Sequence, residues 1–181
     1  MSEFRLTFVK EGRAAWISHL DLLRTFQRAF IRSGLVIRHS EGFHPHPIMS
    51  FVLPLSVGQT SVCELLDFET VEDLPCEGMA ERLNPRLPEG IRVTACRRPV
   101  LPVREMRCLE AEVTLEYDRG VPAGAAEAIA ALLTGEQVVV AKRNKKKQMV
   151  DTDIRPMIHS VEAESRDGAV APRVRVQGQN P

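Results

Sequence analysis

The stretch SHLDLLRTFQRAFIRSG, residues 18–34, predicts an amphipathic helix around which the first half of the chain is organised. Ser18 suits the N-cap, and Asp21 follows three residues later, so the pair resembles a capping box. Gly34 is a natural stop at the other end. The apolar residues recur at helical spacing and form one stripe, which consists of Leu22, Leu23, Phe26, Ala29 and Phe30.

Extended segments flank this helix and predict an antiparallel sheet. FRLTFVK alternates apolar and polar side chains before the helix, and four further segments follow it. A short helix, broken at Asn84-Pro85, precedes the last of them. With three extended segments between the two helices, we interpret the order as strand, helix, strand, strand, helix, strand, which is that of a split βαβ, or ferredoxin-like, domain. The extended segments are residues 4–10, 35–40, 48–59, 61–70 and 91–100.

The second part of the chain repeats the pattern without a second helix. CLEAEVTLEYD predicts a strand, PAGAAEAIAALLTG a helix, and three more strand candidates follow at residues 136–143, 148–164 and 171–177. We therefore predict an α+β protein of two ferredoxin-like halves, of which the second is incomplete. The predicted limits are a domain at 1–98, a linker at 99–107 and a partial half at 108–181.

Composition excludes several classes of protein. The net charge is zero, so any electrostatic function depends on local clusters. The four cysteines contain no CxxC pair, which disfavours a zinc or iron–sulfur site and favours free thiols. The N-terminal sequence has no signal-peptide pattern, and no apolar run reaches the length of a membrane span. We therefore expect a cytoplasmic protein with no cofactor and no membrane contact.

The most concentrated charge is AKRNKKKQ, residues 141–148, which contains four of the five lysines of the chain. It lies between two strand candidates and predicts an exposed hairpin tip. Such a tip can contact phosphates or can be a solubilising turn, and both interpretations stay open. Asp153 and Arg155 in the following DIRP predict an ion pair at the base of the hairpin. The candidate nucleic-acid contacts are Lys142, Arg143, Lys145, Lys146, Lys147 and Arg155.

A row of arginines follows one face of the predicted helix. Arg24, Arg28 and Arg32 recur every four residues, which is one helical turn. Such a row can track phosphates or can be an ordinary solvated face.

The stretch SEGFHPHPIMSF, residues 40–51, places two histidines before prolines. His44 and His46 can share a metal only with a third ligand, such as His19, Glu64 or Asp67. Acid–base chemistry by His19 and His46 is a further alternative. We favour a rigid connection whose His46 supports a binding surface, with no metal ligand and no catalytic residue. The candidate functional surface consists of Ser18, His19, Asp21, Arg24, Gly42, Phe43, His46 and Glu64.

Four stretches carry a resemblance over nearly the whole chain: WISHLDLLRTFQRAF, SEGFHPHPIMSF, LPLSVGQTSVCELLDFE and KRNKKKQMVDTDIRPMI. Together they resemble the radical-SAM-linked protein family, a domain of unknown function found fused to, or encoded beside, cobalamin-binding-type radical SAM proteins. His46 matches the family's PHP motif, whereas His44 stands where the family typically has asparagine. The chain also ends before a further helix and strand that family members usually have.

The resemblance implies a radical SAM enzyme as partner and, from neighbouring ribonuclease G and ribosomal protein genes, a link to RNA. The chain has no CxxxCxxC, so the radical SAM cluster would belong to that partner. We expect a non-catalytic accessory protein that binds RNA or the substrate of the partner. The alternatives are an RNA-processing enzyme that uses His19 and His46, and a protein docking module.

Overall fold

A computed structural model describes residues 2–144 and 147–178, and these residues form a mixed α+β structure. The predicted α+β class is therefore confirmed. The chain divides into two compact units, Met1–Val103 and Arg104–Pro181, and their boundary falls inside the segment 99–107. The domain limits and the ferredoxin-like assignment of the two halves stay predictions. Within the described ranges, no helix is long and apolar enough to cross a membrane.

The first unit is one four-stranded sheet with two helices. The strands lie in the order β2-β3-β1-β4, and each pairs antiparallel with its neighbour. This order follows from two helical connections, one between β1 and β2 and one between β3 and β4. The elements are β1 (Ser2–Lys10), α1 (His19–Arg32), β2 (Met49–Phe51), β3 (Ser61–Thr70), α2 (Met79–Leu83) and β4 (Ile91–Arg97).

Phenylalanine rings fill the core of this unit. The Phe8 ring meets the Phe26 ring edge-on at 4.9 Å between centroids, so it joins β1 to α1. Phe4 stacks on Phe68 at 5.2 Å and joins β1 to β3. Each such pair adds about 0.5–1.5 kcal/mol beyond the area that it buries. Six of the seven phenylalanines are buried in this way: Phe4, Phe8, Phe26, Phe30, Phe51 and Phe68.

Both ends of α1 are held by the residues that the sequence predicts. The Ser18 hydroxyl accepts a hydrogen bond from the Asp21 amide at 3.2 Å, which confirms the N-cap. At the other end Gly34 adopts φ +71°. The Gly34 amide donates to Ile31 at 3.0 Å, and the Leu35 amide donates to the Phe30 carbonyl at 2.9 Å. These two bonds form a Schellman motif, so the helix ends where the left-handed glycine allows it.

In the second unit, β10 lies at the centre of an antiparallel sheet. It pairs with β9 on one side and with β5 and β6 on the other. The break between β5 and β6 lies opposite Pro172, which accepts a bond from the Val113 amide but has no N–H to return one. The elements are β5 (Cys108–Glu112), β6 (Leu115–Glu116), α3 (Ala125–Thr134), β7 (Val139–Arg143), β8 (Met149–Asp153), β9 (Ile158–Arg166) and β10 (Ala169–Gln177).

The strand predicted over residues 148–164 is two strands. A 3₁₀ turn at Arg155–Met157 separates β8 from β9. Pro156 provides no N–H for a ladder, so the chain turns there and leaves the β7–β8 pair as a separate two-stranded ribbon. α3 packs against β9, on the sheet rather than on the ribbon.

Two glycines with positive φ, Gly12 and Gly90, differ in how closely other atoms approach them beside β1. A Cβ on Gly90 would lie 2.4 Å from the Glu11 carbonyl oxygen, whereas a Cβ on Gly12 would meet nothing within 4 Å. Gly12→Ala should therefore lower the free energy of unfolding by about 1–2 kcal/mol, from backbone strain alone. Gly90→Ala should lower it by roughly 3 kcal/mol or more, because overpacking adds to that strain. Urea unfolding of both variants measures the difference, and equal losses would contradict the close approach.

Candidate functional site

The histidine stretch leaves the edge of the first sheet as a loop and returns to the same edge. The Arg38 amide donates to the Glu69 carbonyl at 2.9 Å, and the Glu69 amide donates to the Ile48 carbonyl at 3.1 Å. Of the two strands predicted on either side of the loop, the segment 48–59 contains the short strand β2, whereas the segment 35–40 forms only isolated bridges, at Ile37 and His39. Pro45 and Pro47 lack the N–H groups that would extend the ladder, so the residues between Arg38 and Ile48 project from it.

Hydrogen bonds close the base of this edge loop, residues 39–47. The Ser40 amide donates to the His46 carbonyl at 2.9 Å, and the His46 amide donates to the Ser40 hydroxyl oxygen at 3.1 Å. The same hydroxyl lies 2.8 Å from Nδ1 of His46. Gly42 adopts φ +124°, a conformation that other residues rarely adopt. The loop presents Phe43 fully to solvent, as the only phenylalanine outside the core.

The two histidines proposed as an acid–base pair lie at different places along β3. The His19 ring packs edge-on against Phe51 at 5.5 Å between centroids, and Phe51 pairs with Leu66. The edge loop that carries His46 departs opposite Glu69, about 10 Å further along the strand at its usual rise. Among the residues that the structure describes, no contact joins the two rings, so the geometry gives acid–base catalysis no support.

Ser18, Asp21 and Arg24 form one cluster at the start of α1. The Ser18 hydroxyl donates to Asp21 at 2.7 Å, and Arg24 bonds the same carboxylate at 3.0 Å. The hydrogen bond from Ser18, and then that from Arg24, hold the pKa of Asp21 below its usual value. Arg24 is therefore occupied by a neighbour on its own helix. Arg28 and Arg32, the other members of the predicted row, line a groove further along the helix.

Glu64 lies next to a buried lysine that the sequence reading missed. Lys10 is 1% exposed, and its ammonium donates to the Ala15 carbonyl at 3.1 Å. Burial lowers the pKa of Lys10, and the charge of Glu64 opposes this. Burial also raises the pKa of Glu64, against a hydrogen bond from Ser61 and the charge of Lys10. The alternation of β1 was the available signal, because Lys10 continues the inward-facing series that ends at Phe8.

The residues considered for a metal site are not gathered together. Asp67 accepts two hydrogen bonds from the Arg5 guanidinium, at 2.6 and 2.7 Å, and so is already paired. In the described part of the chain, no group of three or more histidine, cysteine, aspartate or glutamate side chains is placed to hold a metal ion. All four cysteines are free thiols.

The structure forms the predicted basic hairpin from β7 and β8. The pairing runs from Val139 opposite Asp153 to Arg143 opposite Met149. At the turn, the Asn144 amide donates to the Gln148 carbonyl at 2.9 Å. The ribbon is exposed on both faces, with only Thr152 partly buried. Lys142, Arg143 and Lys147 are exposed near the tip, whereas Lys145 and Lys146 lie outside the described residues.

Backbone hydrogen bonds, rather than the predicted ion pair, fix the base of the hairpin. The Asp153 carboxylate accepts the Val138 amide at 2.9 Å and the Arg155 amide at 3.0 Å. The bonds from Arg155 and then Val138 lower the pKa of Asp153. The Arg155 guanidinium instead donates to the carbonyls of Gly135 at 3.1 Å and Ile158 at 2.8 Å. Arg155, predicted as a nucleic-acid contact, is thus half-buried and engaged in holding the hairpin base.

The raised pKa of Glu64 predicts a pH-dependent effect of Glu64→Gln. A carboxyl whose folded pKa is raised contributes stability that is fully present below its unfolded pKa, near 4.5. That stability is lost as the pH rises through the folded pKa. The unfolding free energy of the variant, relative to the original protein, should therefore increase between pH 4 and pH 7. Urea unfolding at both pH values measures this, with Glu41→Gln in the exposed edge loop as control. A constant difference would show that the folded protein does not disfavour the Glu64 carboxylate.

Comparison with known proteins identifies a family without assigning an activity. No curated protein matches the chain. A family model described as an uncharacterised protein conserved in bacteria (DUF2344) matches residues 3–180, which is almost the full length. The chain therefore belongs to this uncharacterised bacterial family.

Proposed function

We propose that this protein binds RNA through the β7–β8 hairpin, as a non-catalytic accessory protein of a radical SAM enzyme. The observation that carries the RNA proposal is a free-standing ribbon with a basic tip. The ribbon pairs with no other strand among the described residues, and both of its faces are exposed. The radical SAM partner is proposed from the resemblance of the sequence stretches quoted above.

The distribution of charge along the hairpin supports a phosphate contact. The protein as a whole has no net charge, yet residues 141–148 include no acidic side chain. The two aspartates of the ribbon, Asp151 and Asp153, lie in β8, and Asp153 is engaged at the base. The tip of the hairpin is therefore positively charged, whereas its base is not. Phosphate groups bind such a cluster by releasing condensed counterions.

The ribbon also has the physical character of a binding arm. A two-stranded hairpin without further strands is at best marginally stable in water. Asp153 and Arg155 hold its base by hydrogen bonds to Val138, Gly135 and Ile158, so the ribbon is anchored at the end opposite its basic tip. Apolar side chains remain exposed along the stem, and a partner that covered them would gain from their burial: Val139, Val140, Met149 and Val150.

The RNA proposal predicts the effect of charge removal on salt dependence. Lys142→Gln with Lys147→Gln should weaken binding to a structured RNA, because two phosphate contacts are lost. The slope of log affinity against log salt should become shallower by about 1.4–1.8, since each contact releases about 0.7 of a counterion from a single strand and about 0.9 from a duplex. Fluorescence anisotropy over a salt series measures both quantities.

The matched control for this experiment is Arg119→Gln with Arg175→Gln, two exposed arginines of the same unit outside the hairpin. It removes the same charge and should change the slope little. Equal effects of the two double variants would mean that RNA senses net charge rather than the hairpin. If the hairpin variant bound RNA with unchanged affinity, the basic tip would be a solubilising turn and not an RNA contact.

Phe43 supports a second candidate function, the docking of a protein partner. A fully exposed aromatic ring on a loop whose base is closed by Ser40 and His46 is a typical anchor for a pocket on a partner. The two prolines stiffen the loop, so little conformational entropy is lost when the ring is buried. The proposed partner is the radical SAM enzyme.

Docking through Phe43 predicts a loss of binding without a loss of stability. Phe43→Ala should change the unfolding free energy by less than about 0.5 kcal/mol, since the ring is exposed. The same variant should no longer bind a purified radical SAM protein of the cobalamin-binding type that the resemblance implies, as measured by calorimetry. Val62→Ala, at another exposed apolar residue of the same unit, should bind normally. Full binding by Phe43→Ala would exclude the edge loop as the docking site.

A further inference from the structure

We propose that a groove between α1 and the segment 84–88 of the first unit binds a phosphate-bearing ligand. The groove has a volume of about 510 Å³, which lies within the range of small-molecule sites. Arg28, Arg32 and Arg86 line it, together with Thr25 and the prolines at positions 85 and 88. The site belongs to a different unit from the basic hairpin, so it stands independently of the proposed function.

Each side of the groove is fixed by contacts of its own. Arg28 and Arg32 are one turn apart on α1 and so lie on the same face. The Arg32 guanidinium donates to the Arg86 carbonyl at 2.6 Å, which ties the helix to the opposite wall. That wall is a 3₁₀ turn, Asn84–Arg86, and the Asn84 amide group exchanges two hydrogen bonds with Val93 at 2.7 and 3.0 Å. The Arg32 guanidinium and the wall that carries Arg86 are thus held in place before any ligand arrives.

The groove contains positive charge without a compensating carboxylate. None of the residues that line it is acidic. Within residues 2–144 and 147–178, no ion pair involves Arg28, Arg32 or Arg86. The charge of Asp21 acts on Arg28, but that carboxylate is hydrogen-bonded to Ser18 and Arg24. Three guanidinium groups that repel one another would be stabilised by an anion between them.

The number and type of donors favour phosphate over other anions. A guanidinium has five N–H donors in a planar fork that matches phosphate oxygens, and Arg32 uses one of them on the Arg86 carbonyl. The Thr25 hydroxyl already donates to the Asp21 carbonyl, so the arginines supply the donors for a ligand. A group with several negatively charged oxygens satisfies three arginines better than a single carboxylate does. Such a ligand is either a small phosphorylated molecule or the backbone of an RNA.

The first arm of the test uses inorganic pyrophosphate as the probe. Isothermal titration calorimetry should detect binding to the original protein. Arg28→Gln with Arg86→Gln should weaken that binding about tenfold or more, because charge-assisted hydrogen bonds are lost. The wall should survive, since Arg32 bonds the backbone of residue 86 and not its side chain. Arg13→Gln with Arg97→Gln, at exposed positions outside the groove, is the control and should bind as the original protein does.

The second arm distinguishes the source of the phosphate. The same variants are compared for affinity to a structured RNA by anisotropy at fixed salt. Loss of pyrophosphate binding with unchanged RNA affinity supports a small phosphorylated ligand. A loss of RNA affinity that the control variant does not show supports the RNA backbone. The proposal is overturned if the groove variant matches the control in both arms, or if the original protein binds neither probe.

Discussion

The packing of phenylalanine rings between α1 and the sheet is the interaction on which the first unit depends. Phe8 contacts both Phe26 on the helix and Phe51 on the edge strand, at 4.9 and 5.8 Å. Phe30 extends the same contact to Phe68, at 4.8 Å. These rings join three strands and one helix, so they fix where the edge loop, the start of α1 and the arginine groove lie. The candidate surfaces of this unit therefore lie on strands and a helix that the packed core holds in place.

Local signals predicted the helices well because the interactions that form them are local. The N-cap at Ser18 and the left-handed Gly34 act within a few residues, and both are found where the sequence places them. The apolar stripe of α1 likewise needs only helical periodicity. The return of the chain to one edge of β3 was missed, because it depends on two hydrogen bonds to a residue distant in sequence. The Arg38 amide donates to the Glu69 carbonyl, and the Glu69 amide donates to the Ile48 carbonyl.

Among the candidate site residues, those that interact with sequence neighbours were likewise predicted, and those that interact with distant segments were not. The cluster of Ser18, Asp21 and Arg24 is made by neighbours on one helix and is found as a cluster. Lys10 was overlooked because a lysine at an inward-facing position runs against the usual preference for exposure. Arg155 was assigned to the basic surface from its charge, yet its guanidinium holds two backbone carbonyls. Charge in a sequence shows where a cation is, but only the fold shows whether it is already engaged.

In the second unit, the sheet and the proposed RNA-binding ribbon are likewise distinct parts of the structure. Its sheet is centred on β10, while the β7–β8 ribbon stands outside that sheet and is held at its base by Asp153. Because the ribbon is anchored at its base and basic at its tip, a ligand that bound the tip would not need to displace any strand of the sheet. The two proposed anion-binding surfaces, this arm and the arginine groove of the first unit, each rest on a local cluster of positive charge in a chain with no net charge.

The measurement that tests the central claim most directly is a ¹H–¹⁵N NMR titration of the whole chain with a structured RNA. The account predicts that amide shifts change most at the hairpin tip, around Lys142, Arg143 and Lys147. Amides of the phenylalanine core, such as those of Phe8 and Phe26, should stay in place. Unchanged spectra at low salt, or changes that leave the hairpin unaffected, would contradict RNA binding through this arm.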